Sequence, residues 1–184
     1  IPHDRTRKTI ETGVGRLVTE AYADAYRNAV TEDGNGHEGD IVVGISHFGS
    51  IRAGFYAGDI SVLDVGEALP FANPLKCYRY TGRQLKALLD FGINRCRLGR
   101  IQTNRLRVEQ DAKGRIRRIY ARNNRGEEVP VGDKTRLVLV TDDYITTGGD
   151  GYNPAFFPET EVIGVDVPQS TDAFIQYLQR KKTL

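Results

Sequence analysis

The chain has 184 residues, 39% of them apolar and 27% charged, with a formal charge of +2. That length allows one domain with a real hydrophobic core, and nine Tyr with seven Phe exclude wholesale disorder. No apolar run approaches the roughly 20 residues that a membrane-spanning helix needs, and the polar opening Ile1-Pro2-His3-Asp4-Arg5 is not a signal peptide. Residues 1–10 are polar and read as an extended leader or the end of a linker, leaving 11–184 for the domain. Val14, Leu17, Val18, Ala21, Tyr22, Ala25, Tyr26 and Val30 recur at three- and four-residue steps, which predicts a long helix from near Thr12. The breaker cluster Thr31-Glu32-Asp33-Gly34-Asn35-Gly36 ends it.

Ile41-Val42-Val43-Gly44-Ile45 reads as a short buried strand, and a loop of small residues follows over 46–52. Ser61 with Asp64 and Thr81 with Gln84 each have the spacing of a capping box, in which the first side chain and the third residue after it satisfy each other's backbone N–H groups. The first opens a short helix that ends by Pro70; the second opens a helix whose Leu85, Leu88 and Leu89 share a face. Between them lie a turn at 71–73 and a strand near Leu75–Tyr80. An Arg-rich hairpin turns at Asp111-Ala112-Lys113-Gly114, and Leu137-Val138-Leu139-Val140 is the most apolar strand. A last helix starts near Ser170 or Asp172 and buries Phe174, Tyr177 and Leu178. Interleaved strands and helices with a hairpin imply an α/β fold of mixed α+β layers, built on a mixed sheet with flanking helices.

The charge is unevenly spread. Between Arg95 and Arg125 stand ten Arg and Lys113 against Glu109 and Asp111, a local net of +9. The hairpin arginines alternate with apolar residues, which is the pattern of a strand pair with one solvated face, and no nucleic-acid-binding motif accompanies them. Cys77 and Cys96 are the only cysteines; they allow either one disulfide or two thiols, and their spacing suits no zinc site.

Candidate chemistry is sparse. His3, His37 and His47 are the only histidines, and no paired-His motif, nucleophile elbow, phosphate loop or dinucleotide fingerprint occurs, so no catalytic residue and no metal or other cofactor is assigned to this chain. Three loops still combine useful groups. The 46–52 loop offers backbone amides and Arg52 for an anion. The 70–73 loop presents Phe71 and Asn73, an aromatic face and an amide, as base recognition requires. The 142–152 loop adds Tyr144, Asp150 and Tyr152, with the Gly148-Gly149-Asp150-Gly151 turn placing Asp150 at a strand end. Together they predict a pocket for a small anionic aromatic ligand.

These segments resemble one family. Glu11-Thr12-Gly13-Val14-Gly15-Arg16-Leu17 is similar to the opening helix of the C-terminal domain of 5′-nucleotidases, a family that includes 2′,3′-cyclic-nucleotide phosphodiesterases. Gly49-Ser50-Ile51-Arg52 is similar to that family's Gly-Gly-Ile-Arg loop. Gly58-Asp59-Ile60-Ser61 and Leu69-Pro70-Phe71-Ala72-Asn73 resemble its GDIT and LPFGN segments. Thr81-Gly82 with Gln84-Leu85-Lys86 resembles its TGxQLK helix start, and the stretch from Asp143 to Tyr152 its GGDGY signature.

The resemblance implies the fold of that domain and the substrate-recognition half of a hydrolase that releases phosphate from nucleoside phosphates. It implies that Phe71 and Tyr144 sandwich the base, that Asn73 lies near the base, that Asp150 accepts ribose hydroxyls and that Arg52 meets phosphate. His47 or Phe48 falls where the family usually has Asn at the start of its Gly-rich loop, Lys8 where it commonly has Arg, and Gly13 where it usually has Asn. An N-terminal metallophosphoesterase domain with two divalent metal ions, absent from this chain, is the implied partner, and the isolated chain is expected to be inactive. A chain without Met fits one piece of a longer, periplasmic, secreted or cell-surface protein. The other readings are a stand-alone module that binds a nucleotide or a protein partner, and the equivalent domain of a sulfur-compound hydrolase. Nucleic acid is not an expected partner.

Overall fold

The computed structural model of the chain describes residues 1, 3–6, 8–32 and 41–181. The breaker cluster beyond Glu32, His37 and the last three residues lie outside these. Helix α1 spans Gly13–Glu32 and strand β1 Val42–Ser46; a 3₁₀ turn over Phe48–Ser50 follows. Helix α2 is Val62–Ala68, strand β2 Leu75–Thr81 and helix α3 Gly82–Asn94. Strands β3 (Gln102–Thr103), β4 (Leu106–Gln110), β5 (Ile116–Arg122), β6 (Glu128–Pro130) and β7 (Arg136–Asp142) come next. The one-turn helix α4 (Asp143–Thr146), 3₁₀ turns and helix α5 (Ser170–Lys181) complete the chain. Both capping boxes form: Ser61 and Asp64 open α2, and Thr81 and Gln84 open α3.

The central sheet has the order β2-β7-β1-β3 and is mixed, with β1 parallel to β7 and the other pairs antiparallel. Its strands are buried on both faces, and alternate residues feed two cores. Val42, Leu75, Cys77, Val138 and Val140 face the core built with α1, α2 and α5. Val43, Ile45, Tyr78, Tyr80, Leu137 and Leu139 face a second core with α3 and the β4–β5 hairpin. Beneath α3 the hairpin turns Ile116, Ile119 and Ala121 inward and extends by β6 into a three-stranded antiparallel sheet.

The arginines of the hairpin are largely paired at the surface. Arg107 meets Glu128 and Glu109, and Arg115 and Arg117 both reach Asp111 at 2.8 Å. Arg105 departs from the expected solvated face. It adopts φ 53° and turns toward α1, where its Nε donates to Glu20 at 3.0 Å. Glu20 is desolvated, yet hydrogen bonds from Arg105 and Asn104 hold its carboxyl below the usual range. Leu178, expected in the core, is only partly buried. The two cysteines are free thiols: Cys77 is buried on β2, where burial pushes it up to about 12, and Cys96 is half-buried. The leader is laid onto the domain. Ile1 pairs with Phe55 through both backbone groups, the His3 ring packs on Phe48, and the Lys8 carbonyl accepts from Arg100 N–H at 2.6 Å.

Two features of the β1–β7 pair position what lies beyond it. First, α1 approaches β1 backbone to backbone: a Cβ on Gly44 would stand 1.8 Å from the Thr19 carbonyl oxygen. Second, Asp142 at the end of β7 is fully buried. Ser46 Oγ donates to it at 3.2 Å, and its other oxygen accepts from Ile145 N–H, capping α4. Burial raises its pKa despite the nearby His47. Gly44→Ala should therefore cost about 1–3 kcal/mol or more through overpacking, read as a lower urea midpoint at unchanged slope. For Asp142 the folded-state pKa lies above its unfolded value near 3.8. Its carboxyl then favours folding only when protonated, and stability falls as pH rises above that value. Asp142→Asn keeps the cap and removes the titration, so its melting temperature should exceed that of the parent by a margin that grows from pH 4 to neutrality.

Candidate functional site

Topology brings the three candidate loops to one edge. Parallel neighbours β1 and β7 end there, releasing the 47–52 and 142–152 loops. Antiparallel β2 begins there, with Leu75 opposite Asp142, so the 70–74 turn arrives at the same edge. Backbone hydrogen bonds tie the loops together. Arg52 N–H donates to Ala68 O at 2.8 Å, and Asp143 N–H donates to Pro74 O at 2.9 Å. The 69–73 turn is also fastened to the start of α5, through Ser170 N–H to Asn73 O at 2.9 Å and Thr171 Oγ1 to Leu69 O at 2.8 Å.

Five of the residues singled out in the sequence form one contiguous group. The Arg52 guanidinium lies 5.6 Å from the centre of the Phe71 ring and donates to Gly49 O at 3.2 Å. Two residues before Gly49, His47 Nδ1 lies 2.9 Å from Asp150 Oδ2. The Tyr144 hydroxyl donates to the other oxygen, Oδ1, at 3.1 Å. The Tyr144 ring packs on the His47 ring with centroids 4.7 Å apart. Phe71 and Tyr144 are 54% and 42% exposed, unusual for aromatic rings and sufficient for each to offer surface to a ligand.

Local chemistry explains this placement. Gly148 takes φ +106° to turn the chain after α4, and Asp150 itself sits at φ 53°, a left-handed conformation that Asp tolerates better than most residues. Gly149 leaves room for the tyrosine, since a Cβ there would come within 2.4 Å of the Tyr144 ring. His47, donating to Asp150, holds that carboxyl below its usual range, and Tyr144 adds to the effect. Burial and the Asp150 charge push the Tyr144 phenol the other way, upward.

Two expected members stand apart from this group. Asn73 is half-buried, and its described bond is made by its backbone carbonyl. Lys8 is exposed, and no described hydrogen bond or ion pair joins its side chain to the cluster. The Asp150 turn is separated from the end of β7 by α4, rather than following the strand directly. Asp142, which holds α4 and hence Tyr144, was not singled out in the sequence; an Asp two residues before an aromatic, at the end of an apolar strand, is the signal that could have found it. Cys96 is a further neighbour, its thiol donating to the Asp150 carbonyl at 3.7 Å. Among the described residues no three His, Cys, Asp or Glu side chains converge to hold a metal ion, and no helix is long and apolar enough to cross a membrane.

Comparison with known proteins bears on this arrangement. The trifunctional nucleotide phosphoesterase protein YfkN of Bacillus subtilis (strain 168) is 25% identical over 153 residues, covering 79% of this chain and 10% of YfkN. The 5′-nucleotidase precursor of Thermus thermophilus has the same fold with a TM-score of 0.75 at 25% identity, covering 95% of this chain and 33% of that one. The NAD nucleotidase of Haemophilus influenzae gives a TM-score of 0.70 at 21% identity, covering 98% and 34%, a likeness of fold. This chain thus spans about a third of the length of these solved relatives and a tenth of the curated one. The profile of the family described as 5′-nucleotidase, C-terminal domain, matches residues 2–157, most of the chain, and with the shared fold it places the chain in that family.

Proposed function

We propose that this domain is the nucleotide-recognition half of a phosphoester hydrolase. Phe71 and Tyr144 take the base between their rings, Asp150 accepts hydrogen bonds from ribose hydroxyls, and Arg52 meets phosphate, with Asn73 and Lys8 at the margins of the bound molecule. The observation that carries this reading is the unbroken path of contacts from Phe71 through Arg52 and the 47–52 loop to Asp150 and Tyr144. It gathers two half-exposed rings, an acceptor carboxylate and an exposed guanidinium on one sheet edge. Each group suits one part of a nucleotide: π-faces for a base, a carboxylate for hydroxyl donors, and a planar fork of N–H donors for phosphate. The names of the Bacillus and Thermus relatives, a nucleotide phosphoesterase and a 5′-nucleotidase, support the same substrate class.

In this reading hydrolysis belongs to a metallophosphoesterase domain of the same protein, whose two divalent ions supply the activated water and the charge neutralisation. This chain's share is to bind and orient the nucleotide. The word precursor in the Thermus relative's name supports a secreted or periplasmic protein.

Stacking contributes about 1–3 kcal/mol per base by alanine substitution. Phe71→Ala should therefore weaken binding of AMP and adenosine by about tenfold, measured by calorimetric titration of the 184-residue chain. Unchanged affinity would overturn the sandwich. The same purified chain should release no phosphate from AMP with added Mg²⁺, Mn²⁺ or Zn²⁺, and metal-dependent turnover would overturn the division of labour.

A further inference from the structure

We propose that His47 is a positioning residue that sets the Asp150 carboxylate to receive a cis-diol, making the site selective for ribonucleosides over sugars that lack the two hydroxyls. The inference rests on the recognition reading above and adds the residue that fixes its sugar end.

Asp150 projects from a short turn whose backbone does not by itself fix the carboxylate, with glycines at φ +106° and +79° on either side. Its orientation comes from two side chains. His47 Nδ1 holds Oδ2 at 2.9 Å and Tyr144 Oη holds Oδ1 at 3.1 Å. A carboxylate has about two acceptor positions on each oxygen, so one described bond apiece leaves each oxygen one acceptor position unfilled, on a side chain that is 10% exposed. Two open positions, one per oxygen, match the two O–H donors of a vicinal cis-diol, as a fork meets a fork.

Of these two tethers, His47 is the firmer. It follows directly from the end of β1, and its side chain is 6% exposed, whereas Tyr144 is 42% exposed and offers its ring to the base. The imidazole has no competing role. Nε2 is buried and has no hydrogen-bond partner, so its one polar attachment is the bond to Asp150. A carboxylate facing Nδ1 requires the proton there, which leaves Nε2 bare in the neutral ring. Asp142 and Asp150 are acidic groups that feel this ring, and Tyr144 packs on it. The bond to Asp150 needs only the Nδ1 proton, so it holds whether or not the ring is charged.

The test compares adenosine with 2′,3′-dideoxyadenosine, binding to the full chain and followed by titration calorimetry. Both nucleosides stack alike, but only adenosine presents the diol. The parent should prefer adenosine by about tenfold or more, as expected for hydrogen bonds to a charged acceptor. His47→Ala should lose most of that preference, read as the ratio of the two affinities so that any loss of stacking through Tyr144, which affects both nucleosides, cancels. His47→Leu, which keeps more of the packing against Tyr144 but supplies no donor, should behave in the same way and serves where the alanine variant does not fold. His47→Asn places an amide N–H where Nδ1 stood and should restore the preference to within about threefold. If both nucleosides weaken equally in the alanine and leucine variants, or the preference survives in them, the positioning role is overturned. If Asn fails to rescue, the requirement is for the ring and not for its donor, and the proposal is likewise overturned. If the parent binds neither nucleoside, the recognition reading itself falls, an outcome distinct from the others because it appears before any substitution.

Discussion

The parallel pairing of β1 with β7 is the constraint on which the site depends. Val42, Val43 and Gly44 lie opposite Val138, Leu139 and Val140, so both strands finish at the same edge. Were β7 reversed, the loop carrying Tyr144 and Asp150 would leave from the far end of the sheet, about 20 Å away for a strand of seven residues. The register is anchored at both levels. Gly44 admits α1 to direct contact with the strand, and Ser46 meets Asp142 where the two strands end. A slip of one residue would exchange the inward faces of a strand that feeds two different cores, so the pairing has no near alternative.

Asp142 and Asp150 show how one residue type serves two purposes eight positions apart. Asp142 is buried, its carboxyl is pushed toward the neutral form, and its work is to cap the turn that carries Tyr144. Asp150 is held by His47 and Tyr144, which favour the charged form. The first is a structural acid below the site and the second an acceptor within it. Each accepts two hydrogen bonds, one of them from β1 or the loop after it; they differ in burial and in their partners, a hydroxyl and a backbone amide for Asp142, an imidazole and a phenol for Asp150.

Much of this was legible in the sequence because the signals are local. Ser61/Asp64 and Thr81/Gln84 announce their helices within four residues, and the alternation around Asp111–Gly114 announces the hairpin. What escaped is set by distant partners. Strand β3 is only two residues long and exists because Ile45 and Ser46 pair with it. Strand β6 contains Pro130 and survives as an edge strand, where a missing N–H is tolerated. Arg105 looked like one more member of a solvated stripe, yet its acid lies 85 residues away on α1. The open choice between a disulfide and two thiols is resolved the same way, by placing Cys77 in the core on β2 and Cys96 beside the Asp150 carbonyl. Lys8, placed by resemblance alone, has no described side-chain contact with the group it was expected to join.

Two of the three non-glycine residues in left-handed backbone among the described residues lie at the site, the third being Arg105. Ala72 at φ 45° and Asp150 at φ 53° occupy the left-handed region beside Phe71 and Tyr144, a conformation that disfavours L-residues by about 1–2 kcal/mol. Such strain persists only where the surroundings over-determine it. Around Ala72 they do so through two hydrogen bonds from the start of α5, and around Asp150 through its two side-chain tethers. Arg52 is different: it is exposed and held by one long bond to Gly49 O. The aromatic and carboxylate end of the site is therefore fixed before any ligand arrives, while the guanidinium end can adjust. Under the proposed reading, such preorganisation would favour base and sugar selectivity, and the exposed guanidinium would be the part left to follow the phosphate.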